Sequence, residues 1–209
     1  KNLPLDDKKL CIVFNNLEVP LSFLKGNTSY INIKETSSQI DSLFESKKYL
    51  NITSNFFLCS CDCFGLFDQE IFNKMTKSKN YDIICFGFRP TLLQIKSKSN
   101  YSTLDFKDDL IKKIFVKKIN NESDLGLAGF FWINSGLELT SLLAQFLKSN
   151  HQQKREIIID DLIDYCISSK LSIGFIKLEK YFHLGTPDEF NEYKYWLKNY
   201  ESLLKLNLK

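Results

Sequence analysis

Residues 56–67, FFLCSCDCFGLF, set a single carboxylate, Asp62, among apolar side chains and between cysteines at alternate positions, Cys59, Cys61 and Cys63. An ionised carboxylate in such a run is unfavourable unless something pairs with it. Two uses of Asp62 stay open. It closes an apolar strand, and in open α/β sheets ligands gather beyond the carboxyl ends of the strands. A hard oxygen ligand there suits Mg2+ or Mn2+ carrying phosphates. The other use is local, with the side chain bonding its own turn around Gly65. The cysteines do not read as a zinc site. In one strand all three share a face and Asp62 points to the other, and alternate positions do not converge on a tetrahedral ion. The six cysteines of the chain, most of them in apolar runs, read as buried free thiols in a reducing cytosol.

Other stretches carry weaker signals. Gly126 and Gly129, in GLAGFFWI, either let a ligand approach the backbone or allow tight strand packing. His183 stands just before LGTP, and a lone histidine beside a turn is more often structural than a ligand. His151 falls in the polar stretch SNHQQKRE, which reads as a loop. Neither GxGxxG nor GxxxxGK[ST] occurs. No Ser/His/Asp or Cys/His triad assembles from the spacing.

The elements that hold these residues alternate. LCIVF (10–14) reads as a buried strand and 29–33 as a second. Thr36 followed by Gln39 is a capping-box pattern, and the spacing of Ile40, Leu43, Phe44 and Lys47 predicts a helix to about Leu50. NFFLCS is the next strand, ending near Asp62, followed by a helix over 71–78 and the buried strand YDIICFGF. YSTLDF and LIKKIFVKK read as two strands around a polar turn, and GLAGFFWI as a further strand. Asn134 or Ser135 can cap a helix through Leu147. A second helix covers about 156–169, where Ile159, Leu162, Ile163, Cys166 and Ile167 form one apolar stripe. LSIGFIKL returns to strand. In GTPDEFNEYKYWLKNY, Thr186 is an N-cap, Pro187 suits the first helical position and Glu189 completes a box. This is an α/β chain with a mixed sheet.

The chain has 209 residues, 44% hydrophobic and 25% charged, which fits one globular domain over 1–209. A net charge of +3, with Arg89 and Arg155 the only arginines, gives no case for nucleic acid. No apolar run reaches the roughly 18 residues that span a bilayer, and no signal-peptide pattern opens the chain. A cytoplasmic protein with no membrane partner is expected. The chain opens at Lys1, so an N-terminal segment is expected to be missing.

Five of these stretches, in order, resemble the sugar-phosphate nucleotidyltransferases, in particular the branch linked to capsule and surface-polysaccharide biosynthesis. ETSSQIDSLFESKKYL resembles that family's Thr-x-Gly helix start, and FFLCSCDCF the strand whose last aspartate binds metal. YSTLDFKDDLIKKIFVKKIN resembles the two strands ending in a Glu-Lys pair. LGLAGFFWINSGLEL resembles the Ala-Gly-aromatic strand of the sugar pocket, and FHLGTPDEF the closing Asp-x-Gly-Thr-Pro motif. The resemblance spans about Leu10 to Trp196. It implies a Rossmann-like, three-layer mixed sheet of the GT-A type. The implied partners are a nucleoside triphosphate and a sugar 1-phosphate, joined with release of pyrophosphate. It implies Asp62 as catalytic residue and ligand of Mg2+ or Mn2+, His183 at the second metal position, and Thr36, Ser38, Lys118 and Gly129 as substrate-binding residues. Metal and cationic groups that neutralise phosphate charge are what this chemistry needs.

Several positions depart from the pattern. No glycine-rich loop with arginine follows the first strand, Ser38 stands for a glycine, Lys117 for the glutamate of Glu-Lys, and His183 for the second metal aspartate. Imidazole suits Mn2+ or Zn2+ better than Mg2+. A missing N-terminal segment explains the loop. The three substitutions fit instead a catalytically inactive binding or scaffolding module with weak nucleotide affinity. A GT-A glycosyltransferase is a third possibility, although Asp68 is the nearest acid after Asp62 and no Asp-x-Asp occurs.

Overall fold

The computed structural model describes residues 10–15, 28–47, 54–78, 80–91, 94–95, 101–119, 124–135, 137–149 and 155–206, without the side chains of 10–30, 32 and 201–206. The predicted extension of the first helix to Leu50 and the loop around His151 lie outside the described residues.

Period-two alternation builds the main sheet. In β5 (Ile83–Phe88) every residue is buried, with Ile83 and Cys85 on one face and Ile84, Phe86 and Phe88 on the other. β8 (Leu125–Ile133) divides in the same way: Leu127, Phe131 and Ile133 against Ala128, Phe130 and Trp132. Continuous apolar runs of this kind mark strands covered on both faces. The remaining strands are β3 (Phe56–Cys59), β6 (Thr103–Lys107), β7 (Leu110–Phe115) and β9 (Ile173–Lys177), in the order β3-β8-β5-β9-β7-β6. β5 and β9 run parallel while the other pairs are antiparallel, which is the mixed sheet expected. The hairpin β6–β7 also returns to the start of β8, pairing Thr103 with Gly126.

Helices cover both faces. α1 (Gln39–Ser46), α3 (Leu139–Ser149) and α4 (Ile159–Ser168) bury Ile40, Leu43, Leu143, Phe146, Leu162 and Ile163 against the first face. α2 (Gln69–Ser78) buries Phe72 and Met75 against the second. Each such side chain contributes about 1.5–3 kcal/mol on burial. β1 (Leu10–Asn15) and β2 (Thr28–Ile33) pair in parallel as a separate ribbon. A second ribbon joins β4 (Cys63–Leu66) to β10 (Lys180–His183), antiparallel, and leads into α5 (Pro187–Leu206). Among the described residues no helix is long and apolar enough to cross a membrane.

Four sequence readings need correction. The cysteines do not share one strand, because β3 stops at Cys59, Cys61 and Asp62 form a turn, and β4 begins at Cys63. Cys59 and Cys61 are exposed, so among the described side chains the buried-thiol reading holds only for Cys85 and Cys166, with Cys63 between. The cap of α1 is Ser38, not Thr36. Ser38 is extended, its Oγ accepts the Asp41 amide at 3.1 Å, and Thr36 bonds Ser42 Oγ instead. α3 starts at Leu139 rather than directly after Ser135, whose amide is taken by Asn55 Oδ1 at 2.8 Å.

Candidate functional site

The β4–β10 ribbon brings together two residues far apart in sequence. Its register sets His183 opposite Cys63, and the Leu184 amide donates to the Asp62 carbonyl at 2.7 Å. His183 Nε2 then lies 3.5 Å from Asp62 Oδ2, while Asp62 Oδ1 accepts from the Ser60 hydroxyl. On the far side, His183 Nδ1 is 2.8 Å from Glu189 Oε2. That carboxylate also takes the Thr186 hydroxyl at 2.8 Å, and the Glu189 amide donates back to Thr186 Oγ1 at 3.3 Å. Thr186 is therefore the expected cap of α5, but Glu189 is spent on His183 and the Thr186 hydroxyl. The imidazole sits between two carboxylates, which raise its pKa against the opposing effect of burial. Asp62, hydrogen-bonded to His183 and Ser60, is held down to about 2. Gly185 makes the approach possible, since a Cβ there would stand 2.7 Å from both Asp62 Oδ2 and His183 Cε1.

A second wall is built around Ser102, which is fully buried. Its carbonyl accepts the Leu127 amide at 2.8 Å, its hydroxyl donates to Asp160 Oδ2 at 2.5 Å, and its Oγ accepts the Lys117 amide at 3.0 Å. Lys117 has φ +48°, a left-handed conformation that side chains other than glycine enter with strain. Next to it, the Lys118 carbonyl accepts the Thr103 hydroxyl at 2.7 Å. Burial pushes the Asp160 carboxyl up to about 6, against the lowering effect of the Ser102 hydroxyl.

Between the walls lies a cavity of about 510 Å³ at the ends of β3 and β5 and along the middle of β8. Asp62, His183 and Gly129 line it, as does Lys117. A Cβ on Gly129 would come within 3.0 Å of Ser60 Cβ, so the glycine keeps that wall flat. Lys118, Thr36 and Ser38 are not among the lining residues. α1 reaches the cavity through Gln39 and Ser42 instead. Phe88 stacks on Tyr181 at 3.9 Å and tilts against Tyr101 at 5.5 Å, giving an aromatic side. The Tyr101 hydroxyl is buried without a hydrogen-bond partner, and burial pushes it up to about 12, so it stays a donor.

Sequence reasoning missed Ser60, Ser102 and Asp160. Glu189 was seen only as a cap. For Glu189 the signal was present in GTPDEF. For Ser102 and Asp160 none was, because their meeting depends on where α4 docks.

The donor set can be tested against Mg2+ or Mn2+. Asp62 fits, as one partly exposed carboxylate sharing a hard cation with phosphate oxygens. His183 does not fit beside it, since both ring nitrogens face carboxylates. Among the described residues no three His, Cys, Asp or Glu side chains converge as a metal site.

No protein-family profile matches the sequence, and no curated protein matches it. Solved structures do match in fold. A nucleoside-diphosphate-sugar pyrophosphorylase from Vibrio cholerae RC9 superposes with a TM-score of 0.65 at 14% identity, over 89% of this chain and 80% of that one. The inositol-1-phosphate CTP transferase from T. maritima gives 0.60 at 15% identity, over 81% of this chain and 64% of its own. A UDP-glucose pyrophosphorylase complexed with UDP-glucose gives 0.60 at 16%, over 82% and 66%. The chain thus spans about two-thirds of the length of the last two. Its mixed α/β fold is the one these nucleotidyltransferases share.

Proposed function

We propose that residues 1–209 form a single sugar-phosphate nucleotidyltransferase-like domain on a three-layer GT-A type fold. It transfers a nucleotidyl group from a nucleoside triphosphate to a sugar 1-phosphate, in the cytoplasm, for surface-polysaccharide biosynthesis. The observation that carries this reading is the cavity, with Asp62 in the turn between β3 and β4, Gly129 flattening one wall and Lys117 in the lining, on a fold shared with nucleotide-sugar pyrophosphorylases.

Asp62 is the residue to hold Mg2+ or Mn2+, and the ion supplies neutralisation of phosphate charge. His183 and Ser60 fix the Asp62 carboxylate in place. Lys117, which lines the cavity, supplies a cation to phosphate oxygens. The Tyr101 hydroxyl offers a donor to a ligand hydroxyl, and the aromatic side excludes water. Thr36 and Ser38 act on the nucleotide side through α1, which they cap and brace.

A second reading, an inactive binding module, is favoured by the charge of the lining. Among the described lining residues Asp62, Glu156, Asp160 and Glu189 face only Lys117 and His183 as cations, a poor cradle for a triphosphate. The glycosyltransferase reading has less support, since Asp68 caps α2, accepting the Glu70 amide at 2.8 Å. The test is pyrophosphate release with Mg2+, each nucleoside triphosphate and a panel of sugar 1-phosphates. Release that disappears in Asp62→Asn supports the enzyme. Metal-dependent nucleotide binding without release supports the module. Neither release nor binding overturns both.

A further inference from the structure

Ser102 occupies a position that its chemistry alone does not require. It is buried, yet it carries three hydrogen bonds that join four segments: the start of β6, β8 through Leu127, the turn after β7 through Lys117, and α4 through Asp160. A hydroxyl that accepts from one backbone amide while donating to a carboxylate is oriented by both. The amide it holds belongs to the one described lysine that lines the cavity, in a left-handed backbone. No ion pair fixes the Lys117 ammonium among the described residues. Lys118 follows directly, but its carbonyl is tied to Thr103 and it does not line the cavity.

We propose that Ser102 and Asp160 are positioning residues for Lys117, and that Lys117, not Lys118, is the cavity's contact for a phosphate group. The proposal rests on the nucleotidyltransferase-like reading for the nature of the ligand. Strain at Lys117 is tolerated because the Ser102 bond over-determines the turn. An unstrained turn would release the amide and swing the side chain off the cavity. Asp160 orients the hydroxyl and also interacts as a charge with Lys117, but the turn depends on the hydrogen bond, so an amide that still accepts it should serve in its place.

The test uses inorganic pyrophosphate with Mg2+ as probe, by calorimetric titration, with thermal unfolding run on every variant. Lys117→Ala should weaken binding about tenfold or more, the worth of a charge-assisted hydrogen bond, while Lys118→Ala stays within about twofold. Ser102→Ala and Asp160→Ala should each weaken it about fivefold by releasing the turn, and Asp160→Asn should restore it. Equal losses in Lys117→Ala and Lys118→Ala overturn the assignment, as does a Ser102→Ala that unfolds earlier yet binds as before. If the wild type binds neither pyrophosphate nor any triphosphate, the functional reading fails separately. The positioning claim is then decided by NMR of reductively methylated lysines. The Lys117 resonance should move in Ser102→Ala and hold in Asp160→Asn while that of Lys118 stays. A Lys117 resonance unchanged in Ser102→Ala overturns the proposal.

Discussion

The two walls of the cavity solve the same electrostatic problem in opposite ways. On the β4–β10 side, Asp62 keeps its charge because the His183 imidazole and the Ser60 hydroxyl bond it, while Glu189 takes the other ring nitrogen. On the β6–α4 side, Asp160 has a hydroxyl for its nearest partner and a raised pKa, and Lys117 is left to face the cavity. The first wall is closed on itself electrostatically. The second leaves a cation outside any ion pair among the described residues and accepts a strained backbone and a carboxylate that is hard to ionise. An ion pair stabilises a site, but a cation already paired has little left to offer a phosphate.

The largest expected difference between the walls lies in pH. The folded protein binds the Asp160 proton more tightly than the unfolded chain does. Below the ordinary value of 3.8 both states are protonated and no penalty exists; above about 6 the penalty is complete. Stability should therefore fall by about 3 kcal/mol as pH rises through this window. Ser102, Lys117, Arg155 and Asp161 are the polar and charged neighbours that set the size of the shift. Asp160→Asn should remove that fall, measured as the difference from wild type in urea unfolding at pH 4 and pH 7. An unchanged slope would mean Asp160 is solvated in solution.

His183→Asp turns the first wall into three carboxylates. Without a divalent ion it should lose about 2 kcal/mol, because two charged hydrogen-bonded groups lose their cation. Added Mg2+ should recover the loss and raise the melting temperature of this variant, while the wild type responds much less. A variant indifferent to Mg2+ would sink Asp62 as a metal ligand.

Thr186→Ala tests how far the first wall depends on α5. Loss of the cap bond should lower stability by about 1 kcal/mol, and Glu189 loses one of its two donors. The smallest effect has the opposite sign. Tyr101→Phe removes a buried hydroxyl that has no partner, so stability should hold or rise by about 0.5 kcal/mol. Ligand affinity should fall in the same variant; a drop in stability instead would show that the hydroxyl has a partner in the folded protein.

Much of the scaffold could be read from the chain because alternation and caps are local. IICFGF and GLAGFFWI announce buried strands, and Thr186 with Pro187 announces α5. That Asp62 follows closely on a strand was legible for the same reason, but its place in the turn between β3 and β4 was not. What stayed hidden depends on distance or on a torsion sign. CFGL and KYFH are four residues each, too short for a pattern, and only their pairing makes them strands. Choosing between Lys117 and Lys118 in VKKIN needs the sign of one φ. At α1, Thr36 and Ser38 are both able to cap, and Asp41 three residues beyond Ser38 decided between them.

The β4–β10 pairing also bears on when the site comes into being during folding. Asp62 and His183 are separated by roughly 120 residues, and contacts of such long sequence range form slowly because a large loop must close first. Nearly the whole described sheet lies within that loop. The ribbon is thus expected to zip last, onto a sheet already assembled, and its register admits no slip. A shift by one residue would set Phe182 or Leu184 where His183 belongs, leaving a folded sheet whose cavity lacks one of its two walls.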